Sequence, residues 1–98
     1  MRIYKKYTGA VTDSVIITKA SESQLGNIYK VLITNAHAST TGIRLYIDDG
    51  TTEFNLLATK IPGLTSLVLT ENLKYDHNIY DLKVTLDTAG YDITIIIK

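Results

Sequence analysis

The residues best equipped for chemistry gather in one stretch, Ile43 to Leu57, which reads IRLYIDDGTTEFNLL. Asp48, Asp49 and Glu53 stand close together there. Carboxylates at this density can ligate a hard cation, or they can accept backbone hydrogen bonds and shape a turn. A calcium loop needs several oxygens converging from a loop of useful length. No D-x-D-x-D-G pattern occurs here, and no later glutamate falls at a ligand spacing. Asp49-Gly50 is instead a strong hairpin signal. Asp48 and Asp49 then begin to point to opposite sides, because successive strand residues alternate. The stretch reads as a hairpin tip and not as a metal site.

The remaining candidates for chemistry are sparse. His37 and His77 are the only histidines and there is no cysteine, so a zinc site lacks ligands. Both histidines sit in loop-like sequence, NAHAST and YDHN, and read as surface residues. A serine or threonine nucleophile needs a positioned base and an orienting third group, and no nucleophile elbow is present. The six glycines are scattered singly, so no glycine-rich phosphate loop exists. The sequence therefore predicts no catalytic residue, no metal and no cofactor, and the chain reads as a non-enzyme.

Composition points to binding rather than catalysis. Ninety-eight residues make one domain, 1–98. Ten basic and ten acidic residues cancel, which argues against a nucleic-acid partner. The first residues, MRIYKKYTGAV, hold no apolar run of signal length. No segment approaches the about 20 apolar residues of a membrane-spanning helix, so no membrane is expected. Seven tyrosines against one phenylalanine and no tryptophan suit interfaces, since tyrosine buries its ring while keeping one end wet. Alternation sets Tyr46 on a polar face with Arg44 and Glu53. Tyr4 and Tyr7 flank Lys5 and Lys6 in a segment, residues 1–9, that reads as an extended contact arm. These seven residues are the candidate interaction set.

The elements that must carry these residues are strands. IRLYID (43–48), YDLKVTLD (80–87) and YDITIIIK (91–98) alternate at period two, the mark of half-buried strands. Ile3–Tyr7, Val11–Thr18, Ile28–Asn35 and Ser66–Leu69 are further strands, rich in β-branched residues. Pro62-Gly63 ends the strand carrying Ile61. A turn centred on Asp49-Gly50 pairs Leu45 with Phe54 and Tyr46 with Glu53. A turn at Gly50-Thr51 would pair Ile47 with Phe54 and set Asp48 against Glu53, an unfavourable like-charge pair, so the first register is expected. Alternation also turns Ile96 outward, where an exposed apolar run calls for a neighbouring subunit or a covering layer.

Turn clusters separate the strands at short, regular spacing, which predicts an all-β sandwich or barrel. SLVLTENLKYDHNIYDLKV resembles the corner of immunoglobulin-like and fibronectin type III domains, through Leu67, Leu69, Leu73 and Tyr80-x-Leu82-x-Val84. That resemblance implies an Ig-like antiparallel β-sandwich of seven or eight strands, with the Tyr80 hydroxyl bonded back to the backbone. Residues 14 to 98 also resemble small virion structural proteins of marine tailed phages of the cyanophage type. The carrying pieces are IYKVLITNAHAST, IRLYIDDGTTEFNLL, IPGLTSLVL and the closing YDLKV and YDITIII. This resemblance implies a virion location and a capsid decoration (cement) protein. Its partners would be the major capsid protein and copies of itself, forming a homo-oligomer in the particle. A tail, neck or baseplate component is the alternative, as is a carbohydrate- or receptor-binding module using Tyr46, Tyr75 and His77.

Overall fold

The structure, a computed structural model, describes residues 3–19, 27–70, 73–87 and 92–98. Among the described residues every regular element is a strand. In chain order they are β1 (Ile3–Tyr7), β2 (Val11–Ile17), β3 (Asn27–Ile28), β4 (Val31–Asn35) and β5 (Thr41–Asp48). Then come β6 (Glu53–Ile61), β7 (Thr65–Leu69), β8 (Leu73–Lys74), β9 (Asp81–Leu86) and β10 (Ile93–Ile97). Eight of them form two four-stranded antiparallel sheets, ordered β1-β10-β4-β7 (sheet A) and β2-β9-β5-β6 (sheet B). β3 and β8 pair as a short ribbon. Where seven or eight strands were expected, the described residues form ten in three sheets.

Side-chain alternation builds the core between the two sheets. Leu82, Val84 and Leu86 of β9 and Ile93, Ile95 and Ile97 of β10 are buried, while the residues between them are half-buried. Val31 and Ile33 of β4 and Ile43, Leu45 and Ile47 of β5 complete the same cluster. β2 departs from strict alternation. Its register shifts between Val15 and Ile17, which turns both Ile16 and Ile17 inward. A bulge of this kind lets a continuous apolar run bury two successive side chains. Tyr91, expected to open the apolar face of the last strand, lies outside the described residues.

The strand order differs from the expected immunoglobulin type. In that fold the last strands are neighbours in one sheet. Here β9 and β10 lie in opposite sheets, and β10 runs between β1 and β4. The two orders are those of a jelly roll, in which the chain passes repeatedly between the layers. The corner before β9 differs as well. Asp76 organises it: its carbonyl accepts from Ile79 and Tyr80 N–H, and its carboxylate accepts from Asn78 N–H. The Tyr80 ring packs edge-on against Phe54, with centroids 5.9 Å apart, and its hydroxyl makes no hydrogen bond among the described residues.

The hairpin takes the register that like-charge repulsion argued against. Ile47 pairs with Phe54, Tyr46 with Asn55 and Asp48 with Glu53. A register shift follows, so Leu45 pairs with Leu57. The central residues are Gly50 and Thr51, and Asp49 N–H donates to Thr52 O across the turn at 3.3 Å. Gly50 has φ +97°, a conformation that L side chains rarely adopt. The repulsion is offset by two cations, Lys83 from a neighbouring strand and Arg44 from the hairpin itself. Lys83 of β9 donates to Asp48 at 2.8 Å, and Arg44 holds Glu53 at 2.9 Å.

The opposite end of the sandwich is tied by one buried amide. Asn35 donates through Nδ2 to Ser39 O, Ile61 O and Pro62 O, and its Oδ1 accepts from His37 N–H. The turn after β6 presses on the β4–β5 loop so closely that a Cβ on Gly63 would stand 2.1 Å from Ala38 O.

Candidate interaction surfaces

The outer face of sheet B assembles three of the expected residues. Arg44, Tyr46 and Asp48 alternate outward on β5, and Lys83 and Thr85 flank them on β9. Arg44 donates to Glu53 and, at 3.2 Å, to Asn55. Its guanidinium also lies 3.9 Å from the centroid of the Tyr46 ring, a cation–π contact. Below this lid Tyr46 is fully buried, and its hydroxyl donates to Asp13. Asp13 sits in a second irregularity of β2 with φ 52°, and its N–H donates to the Thr85 hydroxyl at 3.1 Å. Asp and Asn tolerate this left-handed conformation better than most residues. The irregularity aims a carboxylate at the phenol, with Arg44 Nη2 3.9 Å away.

This cluster satisfies itself. Burial first, and then the hydrogen bond to Asp13, push the Tyr46 phenol above its ordinary range. The hydrogen bond from Lys83 and that from Gly50 N–H hold Asp48 below the usual carboxylate range. Asp49 is lowered by the N–H groups of Thr52 and Thr51, at 2.7 and 2.8 Å. Both hairpin carboxylates thus have committed partners within the fold. Tyr46, expected to offer an exposed ring, presents none. Arg44 and Glu53 remain at the surface, but each is engaged with the other.

The residues of the expected contact arm go elsewhere. Positions 3–7 form the edge strand of sheet A, paired with β10 from Ile3 opposite Ile97 to Tyr7 opposite Ile93. They stand in a folded sheet and not on a free arm, and positions 1 and 2 lie outside the described residues. Tyr7 and Lys5 are on the inward side of this edge, where Tyr7 packs on the core and its hydroxyl lies 3.4 Å from Ser14 Oγ. Tyr4 and Lys6 face outward. Tyr4 is 62% exposed, and Lys6 Nζ lies 3.6 Å from Asp92. The seven candidates are therefore split: Arg44, Tyr46 and Glu53 lie on the outer side of sheet B, Tyr4 and Lys6 on the outer side of sheet A, and Lys5 and Tyr7 on the inward side of β1. His37 is held in its loop, with Nδ1 accepting Ser39 N–H.

The outer face of sheet A carries a feature that the candidate set missed. Three registers place Tyr4 opposite Ile96, Ile96 opposite Leu32 and Leu32 opposite Val68. One apolar stripe thus crosses all four strands. Ile96 faces outward, as its alternation predicts. On one side of the stripe lies a row of Lys6, Thr94, Thr34 and Ser66. On the other side Lys30 and Lys98 are joined by paired backbone hydrogen bonds at 3.1 and 2.9 Å. A groove of about 250 Å³ runs among Tyr4, Lys30, Leu32, Ile96 and Lys98. Leu32 and Val68 are absent from the candidate set, because the pattern within one strand does not show which residues of four strands align.

Comparison with known proteins adds no family to this geometry: no protein-family model matches the chain, and no curated protein matches it.

Proposed function

We propose that this chain is a structural protein of a phage virion, most simply a capsid decoration protein that binds the major capsid protein shell and its own copies. The resemblance of residues 14 to 98 to small phage virion proteins supports this reading. Jelly rolls recur in viral capsids, though also in lectins and cupins, so the fold alone is only an analogy. The observation that carries the reading is the stripe from Tyr4 to Val68, an apolar band across an otherwise solvated sheet face. Bands of this kind mark protein contacts. A lattice of many copies turns modest contacts into firm attachment, because multivalency raises avidity without new chemistry.

A place in the tail, neck or baseplate would use the same stripe. The carbohydrate-binding reading draws on a shallow depression of about 360 Å³ above Gly42 and Ala58, walled by Arg44, Lys60, Thr85 and Asp87. It is disfavoured because Tyr46, the aromatic nearest to hand, is covered by Arg44. Locating the chain in a reconstruction of the particle tests the proposal. Copies repeating with the shell lattice support decoration, and copies confined to the tail or neck support the alternative. A chain absent from particles that binds glycans in titration overturns both.

A further inference from the structure

We infer that the outer face of sheet A docks an acidic amphipathic segment of a partner protein, whose carboxylates meet Lys30 and Lys98 and whose apolar side chains cover the stripe. The inference rests on the stripe being a protein contact and names the chemistry of its partner. It does not depend on a virion location.

Lys30 and Lys98 extend the β4–β10 ladder by one pair beyond Val31 and Ile97. Lys98 N–H donates to Lys30 O at 2.9 Å, and Lys30 N–H donates to Lys98 O at 3.1 Å. Residues that exchange both backbone bonds stand directly opposite each other, with their side chains on one face about 5 Å apart. Like charges so placed are unfavourable. The chain holds another like-charge pair, Asp48 opposite Glu53, and Lys83 and Arg44 neutralise that one from within the fold. The lysine pair lacks any such partner. Neither Lys30 nor Lys98 forms an ion pair among the described residues. Asp92 lies across the stripe, beyond Thr94, and Lys6 holds it at 3.6 Å. The counter-charge for the lysine pair therefore comes from outside the described fold.

The surroundings of the pair select the kind of anion. Lys30 and Lys98, both exposed, wall a groove of about 250 Å³ with Leu32 and Ile96 in its floor and Tyr4, 62% exposed, beside them. A free phosphate would leave that floor in water. A segment with carboxylates along one edge and apolar side chains along the next covers both. The stripe crosses four strands about 4.8 Å apart, so it runs roughly 14 Å from Tyr4 to Val68. About ten residues of helix span that length at 1.5 Å each, and helices of this kind dock by their apolar face. Beyond the stripe Thr94, Thr34 and Ser66 offer hydroxyls to the polar flank of the segment. Nucleic acid is disfavoured, because an apolar band beside two unpaired cations does not track a run of phosphates. An anionic membrane is disfavoured as well, since such binding takes clusters of about four to eight basic residues.

NMR titration of the isotope-labelled chain at low salt tests the inference. The probe is a short synthetic amphipathic helix with leucines on one face and glutamates along the adjoining edge. Its control carries glutamine in place of every glutamate. The glutamate peptide should shift the amide signals of Tyr4, Lys30, Leu32, Ile96 and Lys98, and the glutamine peptide should bind roughly fivefold or more weakly. Added salt should weaken only the glutamate peptide. Lys30→Gln and Lys98→Gln should each weaken it roughly two- to fivefold. Both should leave the thermal midpoint equal or higher, because each relieves the lysine–lysine repulsion. Val68→Ser, at an exposed position, should weaken both peptides alike. No shift with the glutamate peptide overturns the inference, and so does equal binding of the two peptides. Shifts confined to Arg44, Glu53 and Asn55 overturn the assigned surface. Vesicles of phosphatidylserine, or duplex DNA, that bind more tightly than the peptide and lose binding in Lys30→Gln overturn the choice of a protein partner. A chain located on the capsid shell that fails these titrations keeps the decoration reading and loses this one. Success with a chain absent from particles does the reverse.

Discussion

The two outer faces of the sandwich are built from similar strands and differ in what they leave unfinished. On sheet B the central polar groups are paired within the chain: Arg44 with Glu53 and the Tyr46 ring, Tyr46 with Asp13, and Asp48 with Lys83. On sheet A Lys6 is paired with Asp92, but the central row is apolar and Lys30 and Lys98 line an open groove beside it. A polar face need not be a binding face. Charged side chains can lie flat, roof over an aromatic ring and close a layer of their own. Apolar groups have no such option, because they gain only by leaving water. The face with fewer charges is therefore the one that calls for a partner.

The largest expected effect separates the faces by stability. Tyr46→Ala removes a fully buried ring from beneath Arg44 and frees the carboxylate of Asp13. Truncating a large buried aromatic costs about 3–5 kcal/mol. Val68→Ala, on the other outer face, should change stability by no more than about 0.5 kcal/mol. Urea denaturation of the two variants measures the contrast. Equal losses would mean that the stripe, too, is structurally committed in the monomer.

A smaller effect tests how sheet B closes itself. Asp13→Ala deletes the acceptor of the Tyr46 hydroxyl and leaves a non-glycine residue at φ 52° without the tolerance of Asp. The expected loss is about 1–3 kcal/mol, the usual cost of stranding a buried polar group. Asp13→Asn keeps both an acceptor and the backbone tolerance, and loses mainly the attraction to Arg44, 3.9 Å away. Its loss should stay below about 1 kcal/mol, as for other exposed ion pairs. Denaturant midpoints of the two variants decide whether the acceptor or the charge matters.

The two faces were not equally legible in the sequence. Alternation in β5, β9 and β10 assigned the inward residues and turned Ile96 outward. It also put Arg44, Tyr46 and Glu53 on one face. It could not say that Tyr46 would be buried there, because the groove that holds its hydroxyl depends on Asp13, a distant residue placed by a strand irregularity. The hairpin register failed for the same reason. Viewed locally, Asp48 against Glu53 is repulsive, and the lysine that offsets it lies on β9, remote in the chain. The stripe is the extreme case. Its four residues come from four strands, and only long-range registers align them. The immunoglobulin-like expectation had a similar limit. A strand, a corner and a strand look alike in either topology, while the place of the last strand is decided by its pairing with β1 and β4.

The smallest expected effect concerns the carboxylates of the hairpin, where sheet B meets solvent. Asp48 and Asp49 both have folded-state pKa values lowered by hydrogen bonds, from Lys83 and Gly50 N–H and from Thr52 and Thr51 N–H. A lowered folded pKa contributes stability that is present above the unfolded value, about 3.9 for aspartate. That contribution is lost as pH falls through the folded value. The thermal midpoint should therefore be nearly flat from neutral pH down to about pH 4 and decline below it. Lys83 and Tyr46 are shifted upward, so their contributions are present at neutral pH and are lost only in strong alkali. Replacing Asp48 and Asp49 together by Asn should lower the neutral-pH midpoint slightly and flatten the acid limb. The stripe on sheet A contains no carboxylate. Mutating Tyr4 or Val68 should thus leave the acid limb unchanged, and an acid limb that moved with them would show that the two faces are coupled through the core.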